Sequence, residues 1–532
     1  MPSFADFLVS ELRAAGVRML FGVPGGGGNL DIIDAARRGG LPFVLTHTET
    51  GGALMACAQA EITGAAAACL CTLGPGTSSV VNGVAHASLD RVPLLVFTDR
   101  HPETAADCLH QRFDHASVLA PLVKHTLRLQ ADASDTLRAG IACALAPAAG
   151  PVHFDCAPEV FAQEIPGRAP RTSDSERPEW TSDLGRRTLD NVFPASRRPL
   201  VIAGLGAATP DAARAVRAFC ERHTIPALVT YKAKGVLPDD SPLFAGVFTN
   251  GAIERPIIER ADLLIGIGLD PVELLPRPWN FSATIIGCGW PIPDQRHIPF
   301  VAEYVGPVAE TVSQLARDRT FTSEWDVREI AETAARQRAA VCVDAEGLSP
   351  SRAIGLAARS VGREARVAID AGAHMLPAVN LWPVFEPHQL LISNGLSTMG
   401  FALPAAIGAS LLDRERRAVA VTGDGGLMMC VGELKTAVRE RAPVLTLVLN
   451  DASLSLIKIK QDKRRLPSAG VTLGDVDWCA MAAGVGMPAW RADDPASLER
   501  ALGGALSAPG PALIDARVDP GVYPATLQAV RG

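Results

Sequence analysis

Runs in which every residue is apolar alternate along this chain with runs in which apolar or small residues recur at helical spacing, and this predicts α/β structure. Ser3 stands before a run that puts Phe4, Phe7, Leu8 and Leu12 on one face and stops at Gly16, as a capped amphipathic helix does. Val17–Val23 reads as a buried strand leading into the turn Pro24-Gly25-Gly26-Gly27-Gly28. Phe43–Thr46, Ala65–Leu73 and Val92–Thr98 read as further strands. Gly51–Ile62 and Thr77–Leu89 read as helices, separated by Gly64 and by Gly74-Pro75-Gly76. Strands that are apolar on both faces and divided by helices belong to a parallel sheet covered on both sides.

The alternation recurs twice more. After a Pro-, Arg-, Ser- and Asp-rich linker, a second unit is predicted from Leu200–Ala203, Asp211–His223, Ala227–Thr230 and Asp262–Ile267. A charged segment, Ser323–Arg338, separates it from a third. There the elements are Val367–Asp370, Leu390–Ser393, Met399–Leu412, Ala418–Thr422, Glu433–Glu440, Val444–Leu449 and Leu513–Val518. The expected fold is therefore three parallel-sheet α/β domains, over 1–165, 184–335 and 345–532, with 166–183 as linker.

A chain of 532 residues is long enough for about three such cores. With 48% hydrophobic and 20% charged residues it is ordinary globular protein, and a net charge of −7 offers no basic face to nucleic acid or to anionic lipid. Asp6, Glu11 and Arg13 fit neither a signal nor a transit peptide, and runs such as Ala65–Leu73 are too short to cross a bilayer. The eleven cysteines show no metal-ligand spacing, and Cys69-x-Cys71 falls inside a strand; reduced thiols and a cytoplasmic location are expected.

The candidate chemistry lies in the third unit. Gly423-Asp424-Gly425 follows the apolar strand Ala418–Val421, and a helix and another strand later the chain reads Asn450-Asp451. This spacing places Asp424 and Asp451 at the ends of adjacent parallel strands, with a helix N-terminus between them. Magnesium takes hard oxygen ligands and keeps phosphate oxygens in its shell. The two carboxylates and the Ser453 carbonyl are candidate ligands. Gly425 and Gly426 leave room for a diphosphate against backbone N–H groups. Gly-Asp-Gly alone is a common turn with a solvated aspartate, and the second oxygen pair is what raises it above that reading.

Further motifs occur in one order along the chain: Phe21-Gly22-Val23-Pro24-Gly25-Gly26, His47-Thr48-Glu49, Gly74-Pro75-Gly76-Thr77 and Gly395-Leu396-Ser397-Thr398-Met399-Gly400-Phe401-Ala402. With Gly423-Asp424-Gly425 and Asn450-Asp451 they resemble the thiamin diphosphate-dependent enzymes, in their acetohydroxyacid (acetolactate) synthase-like branch. The resemblance implies pyrimidine-binding, central and diphosphate-binding domains in that order. It implies that Glu49 binds N1′ of the aminopyrimidine, that Pro24, Gly25, Gly26 and Gly76 line that end, and that Met399 bends the cofactor. His374, Gly423, Asp424, Gly425, Gly426, Asp451, Leu456 and Ile457 are implied at the diphosphate end, with Asp424, Asp451 and Ser453 on Mg²⁺. Gln111 is implied on the substrate side. Glu49 and the metal motif are expected from different subunits, in a homodimer with shared active sites that doubles to a tetramer.

Three departures bear on specificity. Asp451 stands where an asparagine is usual, so cofactor binding is expected to depend steeply on the metal. Lys460 stands near the position of a tryptophan that shapes the acceptor pocket, which points either to an anionic second substrate or to a solvated lysine. Gly266-Ile267-Gly268-Leu269-Asp270-Pro271 lacks the arginine of the flavin-holding stretch, so no FAD is expected. Gly204-Leu205-Gly206 lacks the third glycine of a dinucleotide fingerprint. The expected activity is decarboxylation of a pyruvate-like 2-oxo acid with ligation to a second carbonyl compound. A plain decarboxylase, a C–C lyase and a catalytically silent scaffold are the alternatives. The twin histidines of several decarboxylases are absent, His110 and His115 being the nearest pair, and intact Glu49, Asp424 and Asp451 weigh against a scaffold.

Overall fold

The computed structural model describes residues 3–102, 104, 106, 108–130, 133–161, 163, 196–291, 297–319 and 321–532; the expected linker 166–183 lies outside them. Three six-stranded sheets, parallel throughout, carry the fold. The first comprises β1 (Leu20–Val23), β2 (Phe43–Leu45), β3 (Ala67–Cys71), β4 (Leu94–Asp99), β5 (His125–Leu129) and β6 (Val152–Cys156), in the order β2-β1-β3-β4-β6-β5. The second comprises β7 (Pro199–Ala203), β8 (Ala227–Val229), β9 (Phe244–Val247), β10 (Leu263–Ile267), β11 (Thr284–Gly289) and β12 (Phe300–Val305), in the order β12-β11-β10-β7-β8-β9. The third comprises β13 (Arg366–Ile369), β14 (Leu390–Ile392), β15 (Ala418–Gly423), β16 (Val444–Asn450), β17 (Ala489–Ala492) and β18 (Ala512–Arg517), in the order β14-β13-β15-β16-β18-β17. The first and third sheets thus share one topology.

Central strands such as β4, β6 and β16 are buried along their whole length, which explains their unbroken apolar sequence. The helix Glu49–Thr63 is equally apolar and small all round because it lies between its own sheet and the helix Ala402–Leu412 of the third. The two backbones approach so closely that a Cβ on Gly408 would stand 2.3 Å from the Met55 carbonyl oxygen, and Gln59 donates to the Gly408 carbonyl at 2.9 Å. First and third domains are therefore joined through one continuous core.

Several expected elements differ. The helix expected over Met399–Leu412 begins at Ala402, because Ser397 (φ 53°) and Gly400 (φ 78°) occupy the left-handed region and keep Met399 in a loop. Between the aspartates the expected helix over Glu433–Glu440 is present as Glu433–Arg439, and a second short helix, Asp424–Met429, precedes it. The charged separator Ser323–Arg338 is largely the helix Val327–Val341. It buries Ile330, Ala334 and Val341 and sends Gln337 to the Val247 N–H at 2.8 Å, so its charges mark only the solvent face.

In doubly wound sheets ligands bind beyond the carboxyl ends of strands where the strand order reverses. In the first sheet that point lies between β1 and β3, which open into Pro24–Gly28 and Thr72–Gly76. In the third it lies between β13 and β15, which open into Asp370–His374 and Asp424.

Candidate active site

A cavity of about 240 Å³ occupies the reversal point of the third sheet. His374, Met399, Gly423, Asp424, Gly425, Gly426, Asp451, Ser453, Leu456 and Ile457 all line it, so the structure brings together every residue expected at the diphosphate end. Asp424 opens the helix Asp424–Met429 directly from the end of β15, and Asp451 follows β16, the neighbouring strand. Asp451 is held by two bonds: the Ser453 N–H donates to Oδ1 at 3.0 Å and the Ser455 hydroxyl to Oδ2 at 2.8 Å. Burial and the nearby Asp451 carboxylate push the Asp424 carboxyl up to about 6, and burial also raises Asp451.

His374 stands at the N-cap of the helix Met375–Leu381. It is buried, and its Nε2 has no hydrogen-bond partner among the described residues. Burial lowers its ring to about 4, which keeps the imidazole neutral at pH 7. The glycines are space-limited: a Cβ on Gly425 would meet Leu454, Leu473 and Met399 at 3.0, 3.1 and 3.4 Å, and one on Gly426 would stand 2.3 Å from Asp370 Oδ2. Asp370 takes N–H bonds from Gly400 and Phe401 and the Thr422 hydroxyl at 2.7 Å, and so ties the Met399 loop to β15. Gly426→Ala is therefore expected to break this junction, costing about 1–3 kcal/mol of stability; thermal unfolding of the variant checks it.

The residues expected at the pyrimidine end gather at the other reversal point and do not line this cavity. Glu49 is the first residue of its helix, N-capped by Thr48, whose hydroxyl accepts the Gly51 N–H. It is half-buried in the single chain rather than walled in. A Cβ on Gly76 would lie 3.3 Å from Glu49 Oε1, and one on Gly25 would lie 2.2 Å from Thr72 Oγ1 and 3.0 Å from Asp99 Oδ2; around Gly26 there is open space. Pro24, Gly25, Gly26, Glu49 and Gly76 thus share one strand-end edge. Gln111 is exposed, adopts φ 62°, and packs its backbone over Gly74.

Sequence reasoning missed Asp370, Thr72 and Asp99, although each stands at a strand's carboxyl end, the position that would have flagged them. It also missed Tyr523 and Arg531, which line the cavity from the helix Tyr523–Arg531; Arg531 is the one lysine or arginine lining it among the described residues. No local pattern marks either.

Comparison with known proteins agrees with this arrangement. Residues 2–118, 191–289 and 370–516 match the family models described as thiamine pyrophosphate enzyme N-terminal TPP binding domain, central domain and C-terminal TPP binding domain. The chain is 28% identical to the acetolactate synthase of Bacillus subtilis, over 97% of this chain and 93% of that one. It is 29% identical to the catabolic acetolactate synthase of Raoultella terrigena (97% and 95% covered), and 27% identical to the acetolactate synthase isozyme 1 large subunit of Escherichia coli (97% and 94%). With two strand-end sites on twin sheets and three domain matches in the expected order, the chain belongs to the thiamine pyrophosphate enzymes, in their acetolactate synthase-like branch.

Proposed function

We propose that this protein decarboxylates a pyruvate-like 2-oxo acid and ligates the remaining two-electron donor to a second carbonyl compound, using thiamin diphosphate and Mg²⁺. The observation that carries this reading is the third-sheet cavity, where a buried and a half-buried carboxylate, a histidine Nε2 without a hydrogen-bond partner among the described residues, and two space-limited glycines converge. Asp424 and Asp451 would hold a cation, whose charge would offset the burial and the carboxylate repulsion that raise Asp424. Two carboxylates and a carbonyl leave coordination positions for phosphate oxygens, as Mg²⁺ requires.

Bound thiamin diphosphate supplies the nucleophilic carbon and the electron sink for decarboxylation. In this reading Asp424, Asp451 and the Ser453 carbonyl hold the metal. His374, the backbone at Gly423–Gly426, Leu456 and Ile457 bind the diphosphate end, while Met399 packs on the rings. Glu49 exchanges a proton with N1′, Pro24, Gly25, Gly26 and Gly76 line that end, and Gln111 faces the substrate. Glu49 acts on the cavity of a second copy. Exposed apolar side chains on both domains support a homodimer, which in this reading pairs further to a tetramer: Phe113 and Val118 on the first domain, Met429, Ile457 and Leu473 on the third. In this reading the domains divide at 1–165, 184–335 and 345–532, with the helix Val327–Val341 crossing the last boundary.

FAD has no part in it. At the reversal point of the second sheet Gly206 donates to the Gly268 carbonyl at 2.8 Å, closing the two loops on each other. Glu61, Asp90 and Asp270 line the crevice there, with Arg91 already paired to Asp270 at 2.9 Å. These features support the reading without FAD. A cytoplasmic location is supported by eleven free cysteines, and among the described residues no helix is long and apolar enough to cross a membrane.

Incubation with thiamin diphosphate, Mg²⁺ and a panel of 2-oxo acids, with and without aldehydes, tests the reading by NMR of the products. A coupled hydroxyketone or acetolactate is expected. Released aldehyde alone replaces ligation with plain decarboxylation, and no turnover removes the enzyme reading. Lys460 is exposed on the helix Ser455–Lys463 and does not line the cavity, as a solvated lysine would be placed. The extra charge at Asp451 predicts that chelating the metal releases the cofactor, and that Asp451→Asn retains more of it under chelation; equilibrium dialysis measures both.

A further inference from the structure

Behind the Met399 loop lies a cluster of buried charges from the first and central domains, seated against β14 of the third. Lys232, just after β8 of the central domain, is 4% exposed. Its ammonium lies 2.6 Å from Glu61 Oε2 and 3.5 Å from Asp90 Oδ1, both in the first domain, and donates to the Ile392 carbonyl of β14 at 3.1 Å. His86 is fully buried, with Nδ1 3.0 Å from Asp90 Oδ2 and Nε2 3.6 Å from Glu61 Oε1.

This cluster grips the segment that carries Met399. Asp90 Oδ1 accepts the N–H groups of Asn394 (3.1 Å) and Gly395 (3.4 Å). The Ser393 hydroxyl meets His86 Nδ1 at 3.0 Å and accepts the Thr398 N–H at 3.3 Å, one residue before Met399. The Asn394 side chain donates to the Glu273 carbonyl of the central domain at 3.1 Å. A loop that holds Ser397 at φ 53° needs such outside restraint to keep one conformation.

A buried ion cluster is a weak source of stability, because desolvation offsets most of the attraction; its attested use is to select one arrangement. Burial alone would raise the Asp90 carboxyl, but Lys232 and His86 outweigh it and hold Asp90 well below the usual range, ionised and ready to accept both amides.

We propose that Asp90, held by Lys232 and His86, is a positioning residue for the reaction: across the domain boundary it fixes the Ser393–Gly400 loop and thereby sets Met399 in the cofactor cavity. This rests on the reading of Met399 as a ring-packing residue of the proposed site.

Four variants test it, each measured for kcat, KM of the 2-oxo acid, thiamin diphosphate affinity by tryptophan fluorescence, and melting temperature. Asp90→Ala is expected to lower kcat about tenfold or more and to weaken cofactor binding, with KM within about twofold. Ser393→Ala removes the other tether, is neutral and is compatible with folding whatever the charge balance; it is expected to lower kcat about threefold or more with KM unchanged. Glu61→Gln disturbs the same cluster but touches no atom of the loop, and is expected to keep kcat within about twofold even where its melting temperature falls as far. If Ser393→Ala keeps wild-type kcat and cofactor affinity, or if kcat follows melting temperature alike in all variants, the positioning role is overturned. Met399→Ala separates this failure from that of the underlying reading: unchanged kcat and cofactor affinity in that variant remove Met399 from the site itself.

Discussion

Glu49→Gln is expected to lower turnover by about 10²–10⁴-fold while thiamin diphosphate still binds, the range that one positioned acid–base group contributes. Glutamine keeps the volume of the side chain and a hydrogen-bonding end, so the helix start with its Thr48 cap is preserved. What it loses is the carboxylate that exchanges a proton with the ring nitrogen. Glu49 also closes against Gly76, where a Cβ would come within 3.3 Å of its Oε1, so the side chain has a defined place before any partner covers it. Steady-state kinetics at saturating cofactor and Mg²⁺, alongside a cofactor-binding isotherm, measure the effect. Wild-type activity in the variant would remove Glu49 from the mechanism.

Asp424→Ala is expected to abolish retention of the cofactor rather than slow the chemistry. A group that only orients a metal ligand costs about 10–100-fold in metal affinity when removed, and a direct ligand at a two-carboxylate site costs more. Binding of thiamin diphosphate across a Mg²⁺ titration measures it, and unchanged retention would relocate the metal. The two variants together test how the site is assembled. Glu49 and Asp424 lie on different sheets, and Glu49 does not line the cavity of its own chain. If each site takes Glu49 from one copy and Asp424 from the other, mixing Glu49→Gln with Asp424→Ala chains creates one intact site per mixed dimer and restores activity. Sites contained within one chain give no recovery.

The strand and helix alternation, the three α/β units and the strand-end place of Asp424 and Asp451 were legible in the sequence, since each is imposed within a few residues by backbone geometry and by burial on one or both faces. Errors fell where a local signal was overridden: the helix expected from Met399 starts at Ala402, because Ser397 and Gly400 take left-handed backbone conformations. The charged run Val327–Val341 is a packed helix, since only one of its faces meets the core.

Only the tertiary structure decided which strand ends share a crevice. Asp370 reaches the Met399 loop because β13 and β15 are neighbours, and Arg531 reaches the cavity because the helix that carries it packs on the helices Met375–Leu381 and Ser455–Lys463. The cluster of Lys232, Glu61, His86 and Asp90 exists because the chain after β8 of the central domain packs against two helix ends of the first domain and β14 of the third. Periodicity records which face of an element is dry, whereas the identity of the neighbour on that face depends on long-range packing that no short stretch of sequence encodes.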